Sequence, residues 1–322
     1  MARVAILGAA LQDLYLIDRD DLTPLEIGDT AIYGKIAVGS KVDIDRIKYD
    51  VGGGGLNVAI SLSRFGHDTI LLSNIGEDVA GDAIMRKLDA EAIDNSYMNY
   101  VAGQATGTSV VMLDSKGGER TIFTCRGASG RFDNISPADL DLAQPDWLYA
   151  TTLNGDLATL EKFFNKAWSL GTKIMFNPGA KELAEPKKLL KLLGKVSVLL
   201  VNKSEAAKLV PGNMLAELLY HLNGYAPITI ITDGQMGGIA GNYETRDSYR
   251  FGIYEDVKVK DATGAGDAFG AGFLAAYASG KSFRQALVYA AANSTAVVRK
   301  IGANAGALDS LVDLHPMPIQ KI

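Results

Sequence analysis

Asp267 is the residue in this chain best placed to move a proton. It stands in Asp261-Ala-Thr-Gly-Ala-Gly-Asp-Ala-Phe-Gly-Ala-Gly-Phe273, directly after Gly264 and Gly266. Val257–Lys260 alternates apolar and polar residues, as a strand does, and Ala268–Tyr277 reads as a buried helix. The glycines therefore fall at an expected strand-to-helix turn. Glycine lets backbone N–H groups there point at an anion, and the helix dipole adds partial positive charge. A carboxylate beside an anion site makes sense when the anion is a phosphoryl group in transfer and the carboxylate takes the acceptor's proton. The alternative is plain: Asp is also a favoured helix N-cap. Two better-known phosphate loops fail by position. A dinucleotide fingerprint needs glycine where Phe269 stands, and a Walker loop ending at Gly280-Lys-Ser282 would have to begin at Ala275, inside the helix.

Other residues have the types to hold substrates. Val51-Gly-Gly-Gly-Gly-Leu-Asn-Val-Ala59 opens a helix running to Phe65. Its glycines allow close approach of a ligand, or form a hinge, and Asn57 in the first turn offers both donor and acceptor to a hydroxyl-rich molecule. Asp13 follows the first strand and can accept from a pair of sugar hydroxyls, or be a solvated turn residue. Asn202 and Glu205 follow a buried strand at a spacing suited to hydrated Mg²⁺ or to a helix capping box. Thr232 and Gly234 mark another strand-to-glycine turn, beside a nucleotide or in an ordinary hairpin. Asn293 and Ala296, in the helix from Phe283 to Arg299, can flank a base.

These residues need a scaffold, and the chain alternates strands with helices. Val4–Leu7, Thr69–Leu72, Trp147–Ala150, Lys173–Phe176, Ser197–Val201 and Ile228–Thr232 are short apolar runs bounded by turn residues. Helical patterns lie near Leu56–Phe65, Val79–Ala90, Asp156–Leu170, Pro186–Leu193, Ser204–Leu209 and Met214–Leu222. The alternation predicts an α/β fold with a mainly parallel central sheet and helices on both faces, its ligands at the carboxyl ends of the strands. Residues 14–50 and 97–126 break the pattern. The first holds extended stretches at Tyr33–Val38 and Val42–Tyr49; the second holds a hairpin, Gly107–Leu113 and Glu119–Cys125 about a turn at Asp114–Gly118. Together they predict a small antiparallel sheet, either a lid or an ordinary extension, on a single domain spanning 1–322.

Composition narrows the partners. With 322 residues, 48% hydrophobic and 21% charged, the chain is an ordinary globular protein. Its net charge of −5 and lack of a long basic run argue against nucleic acid. One cysteine, Cys125, and three histidines give no disulfide and no zinc pattern. No apolar run spans a bilayer and the start does not read as a signal peptide, so a cytoplasmic protein without a membrane partner is expected.

Taken in order, these motifs resemble the PfkB family of carbohydrate kinases, with a ribokinase-like fold, over essentially the whole chain. The carriers are the glycine-rich Gly52–Gly66 segment, the highly specific Asp261–Phe273 segment, and Asn202-Lys-Ser-Glu205, which matches an Asn-x-x-Glu motif. The resemblance implies an anion hole at Gly264, Ala265 and Gly266 and a general base at Asp267. It implies sugar contacts at Asp13, Gly53, Gly54 and Asn57. Asn202 and Glu205 would organise Mg²⁺ and the ATP phosphates, Glu205 through water, with Thr232, Gly234 and Asn293 on the nucleotide side. Asp261 and Thr263 would border a monovalent cation, K⁺ in many members, completed by carbonyls of Arg299–Gly302. Family members often dimerise through a β-sheet lid. The chain departs from ribokinases proper at Gly54, where they usually carry lysine, and at Thr151–Asn154, where an acidic sugar contact is expected. Arg120 and Arg126 read as exposed strand arginines rather than an acceptor-phosphate site. The expectation is ATP-dependent phosphorylation of a free sugar or sugar-like hydroxyl. The alternatives are a nucleoside kinase on the same machinery and, outside enzymes, an inactive sugar or nucleotide sensor.

Overall fold

The structure is a computed structural model that describes residues 1–322 apart from 18–24, 28–31, 35–38, 40, 42, 45, 114–119, 256 and 312–315. The first part of the chain comprises β1 (Arg3–Leu7), β2 (Leu11–Ile17), β3 (Leu25–Ile27), β4 (Ile32–Gly34), β5 (Arg46–Gly52), α1 (Gly54–Arg64), β6 (Asp68–Ile75), α2 (Val79–Ala90), β7 (Met98–Tyr100), β8 (Thr108–Leu113) and β9 (Arg120–Cys125). The middle adds α3 (Asp139–Ala143), β10 (Trp147–Ala150), α4 (Leu157–Ser169), β11 (Lys173–Phe176), α5 (Pro186–Leu193), β12 (Val198–Asn202), α6 (Lys203–Leu209), α7 (Leu215–Leu222) and β13 (Ile228–Thr232). The last part is β14 (Gly238–Asn242), β15 (Asp247–Phe251), α8 (Ala265–Ala278), α9 (Phe283–Val298) and β16 (Ile319–Lys321).

The main sheet has ten strands in the order β16-β15-β14-β13-β12-β11-β10-β1-β6-β7. Strands β13 through β7 in that order run parallel, and β14, β15 and β16 extend one edge in antiparallel pairs. The parallel strands are short apolar runs because both faces are covered. Alternation still sorts their side chains: Val4 and Ile6 enter the core under α1, α8 and α9, while Ala5 and Leu7 enter the core under α4 to α7. No helix among the described residues is long and apolar enough to cross a membrane.

A separate sheet runs β5-β2-β8-β9. It differs from the antiparallel sheet expected, because β2 pairs with β8 in parallel while β5 and β9 pair antiparallel. It also starts earlier, at Leu11, so Asp13 sits inside a strand of this sheet and not in a loop after β1. Of the extended stretch expected at Val42–Tyr49, the part from Arg46 belongs to β5, while 43 and 44 are irregular and 42 and 45 lie outside the described residues; of Tyr33–Val38, the part to Gly34 belongs to β4, which pairs with β3, and the rest lies outside them. The hairpin turn Asp114–Gly118 also lies outside them.

One expected strand does not form. Val257–Lys260 is irregular, and the N–H groups of Lys260 and Asp261 both donate to Val298 O at the end of α9. The sheet edge this segment would have joined is taken by β16, which pairs with β15. The glycine motif is therefore entered from a loop braced on a helix end, while β14, β15 and β16, with little alternation of their own, make the edge.

Helix α8 is buried on nearly every side from Ala268 to Ala276. Its small residues set how closely it packs. A Cβ on Gly270 would lie 2.0 Å from the Tyr149 hydroxyl and 2.9 Å from Leu200 Cδ2, and one on Gly272 would lie 2.9 Å from Tyr289 O. Gly270 thus seats α8 directly on β10 and β12, with its first turn toward their carboxyl ends.

Candidate active site

Gly264 is the N-cap of α8, with φ 76°, and a Cβ there would lie 2.1 Å from Ala303 O. Only glycine takes that conformation at no cost in that space. Around Gly266, by contrast, a Cβ would meet nothing within 4 Å. The first turn of α8 therefore has an open side, where its leading N–H groups have no helical acceptor. Among the described residues, Ala265 N makes a long bond of 3.3 Å to Ala262 O.

Asp267 is not the N-cap of this helix: Gly264 holds that position, and Asp267 stands in the first turn. Its carboxylate accepts one bond, from Asn57 Nδ2 at 2.9 Å. Burial pushes its pKa up to about 6, and the Asn57 donor opposes that rise. Tyr149, also buried, has a hydroxyl with no partner among the described residues, and its pKa is raised by burial and by the Asp267 charge. A carboxylate whose pKa is raised to about 6, held at the open end of a helix, has the properties of a proton acceptor.

The glycine-rich segment works by contact. Gly53 has φ 96°, and its Cβ would lie 2.5 Å from Ala9 O; a Cβ on Gly55 would lie 2.6 Å from the Gly8 carbonyl carbon. Gly55 N and Leu56 N both donate to Ala9 O, at 3.0 and 3.3 Å. The segment is thus no hinge; it locks the start of α1 against the bend between β1 and β2. Asn57 is thereby aimed at Asp267, and its Oδ1 accepts from Asn304 Nδ2 at 3.0 Å. Asn304 also donates to Val51 O at 2.8 Å and is 2% exposed. Sequence reading missed Asn304; it sits in an unremarked turn after α9, and no local pattern marks it.

Asp13, on the inner face of the second sheet, is opposite Asp50 on β5 and Ser109 on β8. Burial, with the Asp50 and Asp261 charges adding to it, pushes its pKa up to about 7, while Ser109 and Lys48 act the other way. A Cβ on Gly52 would lie 2.1 Å from Asp13 Oδ2 and 3.5 Å from Asn57 Oδ1, so the two side chains converge on one point. Gly54 backs onto Thr151, to which a Cβ would come within 3.3 Å. The expected acceptor-side residues Asp13, Gly53, Gly54 and Asn57 are brought together beside Asp267. In the loop after β10, where an acidic contact was expected, Glu182 lies beneath. It is fully buried and spent on Thr152 Oγ1, Leu153 N, Gly155 N and Gly179 N, at 2.7 to 3.0 Å.

On the other side, Asn202 at the end of β12 is paired in register with Thr232 at the end of β13, two residues before Gly234. Gly234 opens the turn of a β13–β14 hairpin. Asn202 and Glu205 form a full capping box: Asn202 Oδ1 accepts from Glu205 N at 2.9 Å, and Glu205 Oε2 accepts from Asn202 N at 2.8 Å. Burial raises the Glu205 pKa against those hydrogen bonds. Asn293 is fully buried, donates to Ala268 O at 2.8 Å and accepts from Leu308 N at 3.0 Å. Its amide ties α9 to α8 and to the segment after Asn304, which leaves no polar edge turned to a base.

Asp261 is fully buried and holds two turns: Oδ1 accepts from Thr263 N and Oγ1, and Oδ2 from Gly302 N at 3.0 Å. Among the described residues no cluster of three or more His, Cys, Asp or Glu side chains could hold a metal alone.

This arrangement can be compared with known proteins. A family model described as pfkB family carbohydrate kinase matches residues 3–310. A ribokinase of Haemophilus influenzae is 26% identical over 261 residues, which is 78% of this chain and 82% of that protein. A nucleoside kinase of Methanothermobacter thermautotrophicus is 29% identical over 270 residues, 80% of this chain and 82% of that protein. Among solved structures, an Arabidopsis thaliana ribokinase complexed with ribose and ATP superposes with a TM-score of 0.78 at 22% identity, covering 96% of both chains.

Proposed function

Because the chain belongs to the pfkB family of carbohydrate kinases, and is thus an ATP-dependent kinase of a sugar or nucleoside hydroxyl, we propose that Asp267 is its general base and that the acceptor carries no phosphate. The observation that carries the first part is the freedom of Asp267. Gly264 and not Asp267 is the N-cap, and among the described residues the carboxylate pairs with no cation and takes one bond, from Asn57. Its residual acceptor capacity serves an incoming hydroxyl.

The chain's residues then divide the work. Asp13 and Asn57, converging beside Gly52, orient the acceptor so that one hydroxyl meets Asp267. The open first turn of α8, at Gly264, Ala265 and Gly266, receives the transferring phosphoryl group and stabilises its charge. Asn202, Thr232 and Gly234, at the ends of β12 and β13, border the nucleotide. Glu205 would hold Mg²⁺ through water, the ion being carried largely by the ATP phosphates, and the charge neutralisation there would come from that ion. One half-buried carboxylate suits that outer role, since the described residues build no cage of their own. The monovalent ion fits less well: the Asp261 carboxylate is already spent on Thr263 and Gly302, and Ile301 O is already bonded to Lys48.

The absence of phosphate on the acceptor is supported by charge. Asp13 feels the charges of Asp50 and Asp261, and Lys48, a cation that acts on it, is bonded to Asp50 Oδ2 and Ile301 O. A phosphorylated acceptor would meet carboxylates with no free cation among the described residues here. The test is ADP release over free sugars, nucleosides and sugar phosphates. Turnover is expected with a free sugar or a nucleoside; a preference for a sugar phosphate would contradict the reading of the acceptor.

A further inference from the structure

The turn after α9 is held by side-chain cations. Lys48, on the inner face of the second sheet, donates to Ile301 O at 2.7 Å and to Asp50 Oδ2 at 2.7 Å. It stands 5.7 Å from the centroid of the Tyr15 ring, whose hydroxyl accepts from Ala303 N at 3.2 Å. A Cβ on Gly302 would lie 2.8 Å from the Lys48 ammonium, so the cation is packed against the turn backbone. Further along, Arg64 Nη1 donates to Asn304 O and Ala307 O at 3.3 and 3.2 Å.

This turn is the brace of the anion site. Ala303 O lies under Gly264, Gly302 N bonds Asp261, and Asn304 reaches Asn57. Its carbonyl oxygens are groups that a cation can hold, and Lys48 bridges one of them, Ile301 O, to the Asp50 carboxylate. The resemblance places a dissolved monovalent ion at these carbonyls; here a tethered ammonium already occupies one of them. A tethered cation has an advantage in concentration, because it is present at every turnover without being drawn from solution.

We propose that the Lys48 ammonium is the resident cation of the Ile301–Ala303 turn, a positioning residue that holds the anion-binding end of α8 and removes the need for a dissolved monovalent ion. Because Lys48 lies on β5, the same bond also fastens the second sheet to the turn that braces α8. The proposal rests on the phosphotransfer reading for its kinetic consequence but not for its binding consequence.

The test measures initial rates and thermal melting in KCl and in choline chloride at equal ionic strength, for the wild type and for Lys48→Met. Wild-type kcat is expected to agree within twofold in the two salts, with no K⁺-specific shift in Tm. Lys48→Met should lose kcat by tenfold or more with KM for ATP within about twofold, and should recover rate and Tm on adding K⁺ or NH₄⁺. A wild type activated fivefold or more by K⁺, or raised in Tm by K⁺ over choline, overturns the proposal. So does a Lys48→Met protein with unchanged kcat. If that variant does not fold, the wild-type salt comparison decides alone. Absence of turnover with every acceptor would sink the phosphotransfer reading, and the melting comparison would still decide the role of Lys48.

Discussion

Asp267 is ionised at a cost. Its pKa is raised from 3.8 to about 6, so the folded state binds a proton that the unfolded chain has released, and the stability that proton carries is lost as pH rises through 6. Two outcomes follow with opposite signs. kcat/KM should rise with pH through about 6 as the base ionises, measured as the acid limb of a rate profile. Asp267→Asn should melt above the wild type at pH 8, where it avoids a buried charge, with the gap narrowing at pH 5. The Asn57 donor is held by Asn304, so Asn304→Ala should move the acid limb to higher pH and lower kcat, with KM for ATP little changed; an unmoved limb would reduce Asn304 to a structural strut. This residue was not legible in the sequence. The glycines flanking Asp267 announce their role by type and spacing, whereas Asn304 acts on a partner 247 positions away. Lys48 is hidden for the same reason, its acceptor lying 253 positions along the chain.

At the level of elements, the local code was informative where burial is two-sided or a cap is explicit. Trp147–Ala150, Lys173–Phe176 and Ile228–Thr232 are strands with the bounds their apolar runs imply, and Val79–Ala90 and Pro186–Leu193 are helices with the bounds their periodicity implies. The code failed where a competitor took the hydrogen bonds. Val257–Lys260 has a strand's alternation, but the N–H groups of Lys260 and Asp261 go to Val298 O, and β16 fills the edge. Asn202 and Glu205 show that two readings of one spacing can share a geometry: the capping box forms, and it fixes the carboxylate that the proposed mechanism places near Mg²⁺. At this scale the sharpest prediction concerns Gly270. An Ala there puts a methyl 2.0 Å from the Tyr149 hydroxyl, and overpacking of this kind costs about 1–3 kcal/mol. The urea midpoint should fall accordingly, and an unchanged midpoint would mean that α8 does not sit where described.

Over the whole molecule, the second sheet has two unlike faces. Its inner face carries Asp13, Asp50, Lys48, Tyr15 and Ser109 toward the site; its outer face carries Leu14, Tyr49, Val110 and Phe123 in register across all four strands. Tyr49 is 69% exposed and Phe123 59% exposed. A sheet that covers the acceptor with polar residues and presents apolar ones outward suits a lid that also joins two copies of the chain. Sedimentation should show a dimer, and Phe123→Asp should shift it toward monomer; a wild type that sediments as a monomer at micromolar concentration would contradict this. Sequence pattern located the two segments of this sheet, but not its parallel β2–β8 pairing, because pairing partners far apart in the chain leave no mark on either strand.

The account stands most directly on Asp267 as the base. The decisive measurement is kcat for Asp267→Asn on whichever acceptor the ADP-release screen selects, alongside ATP affinity by calorimetry. The account predicts a loss of about 10³-fold or more in kcat, on the scale of a lost base in a preorganised site, with the Kd for ATP within a fewfold of wild type. A variant that turns over at near the wild-type rate would contradict it.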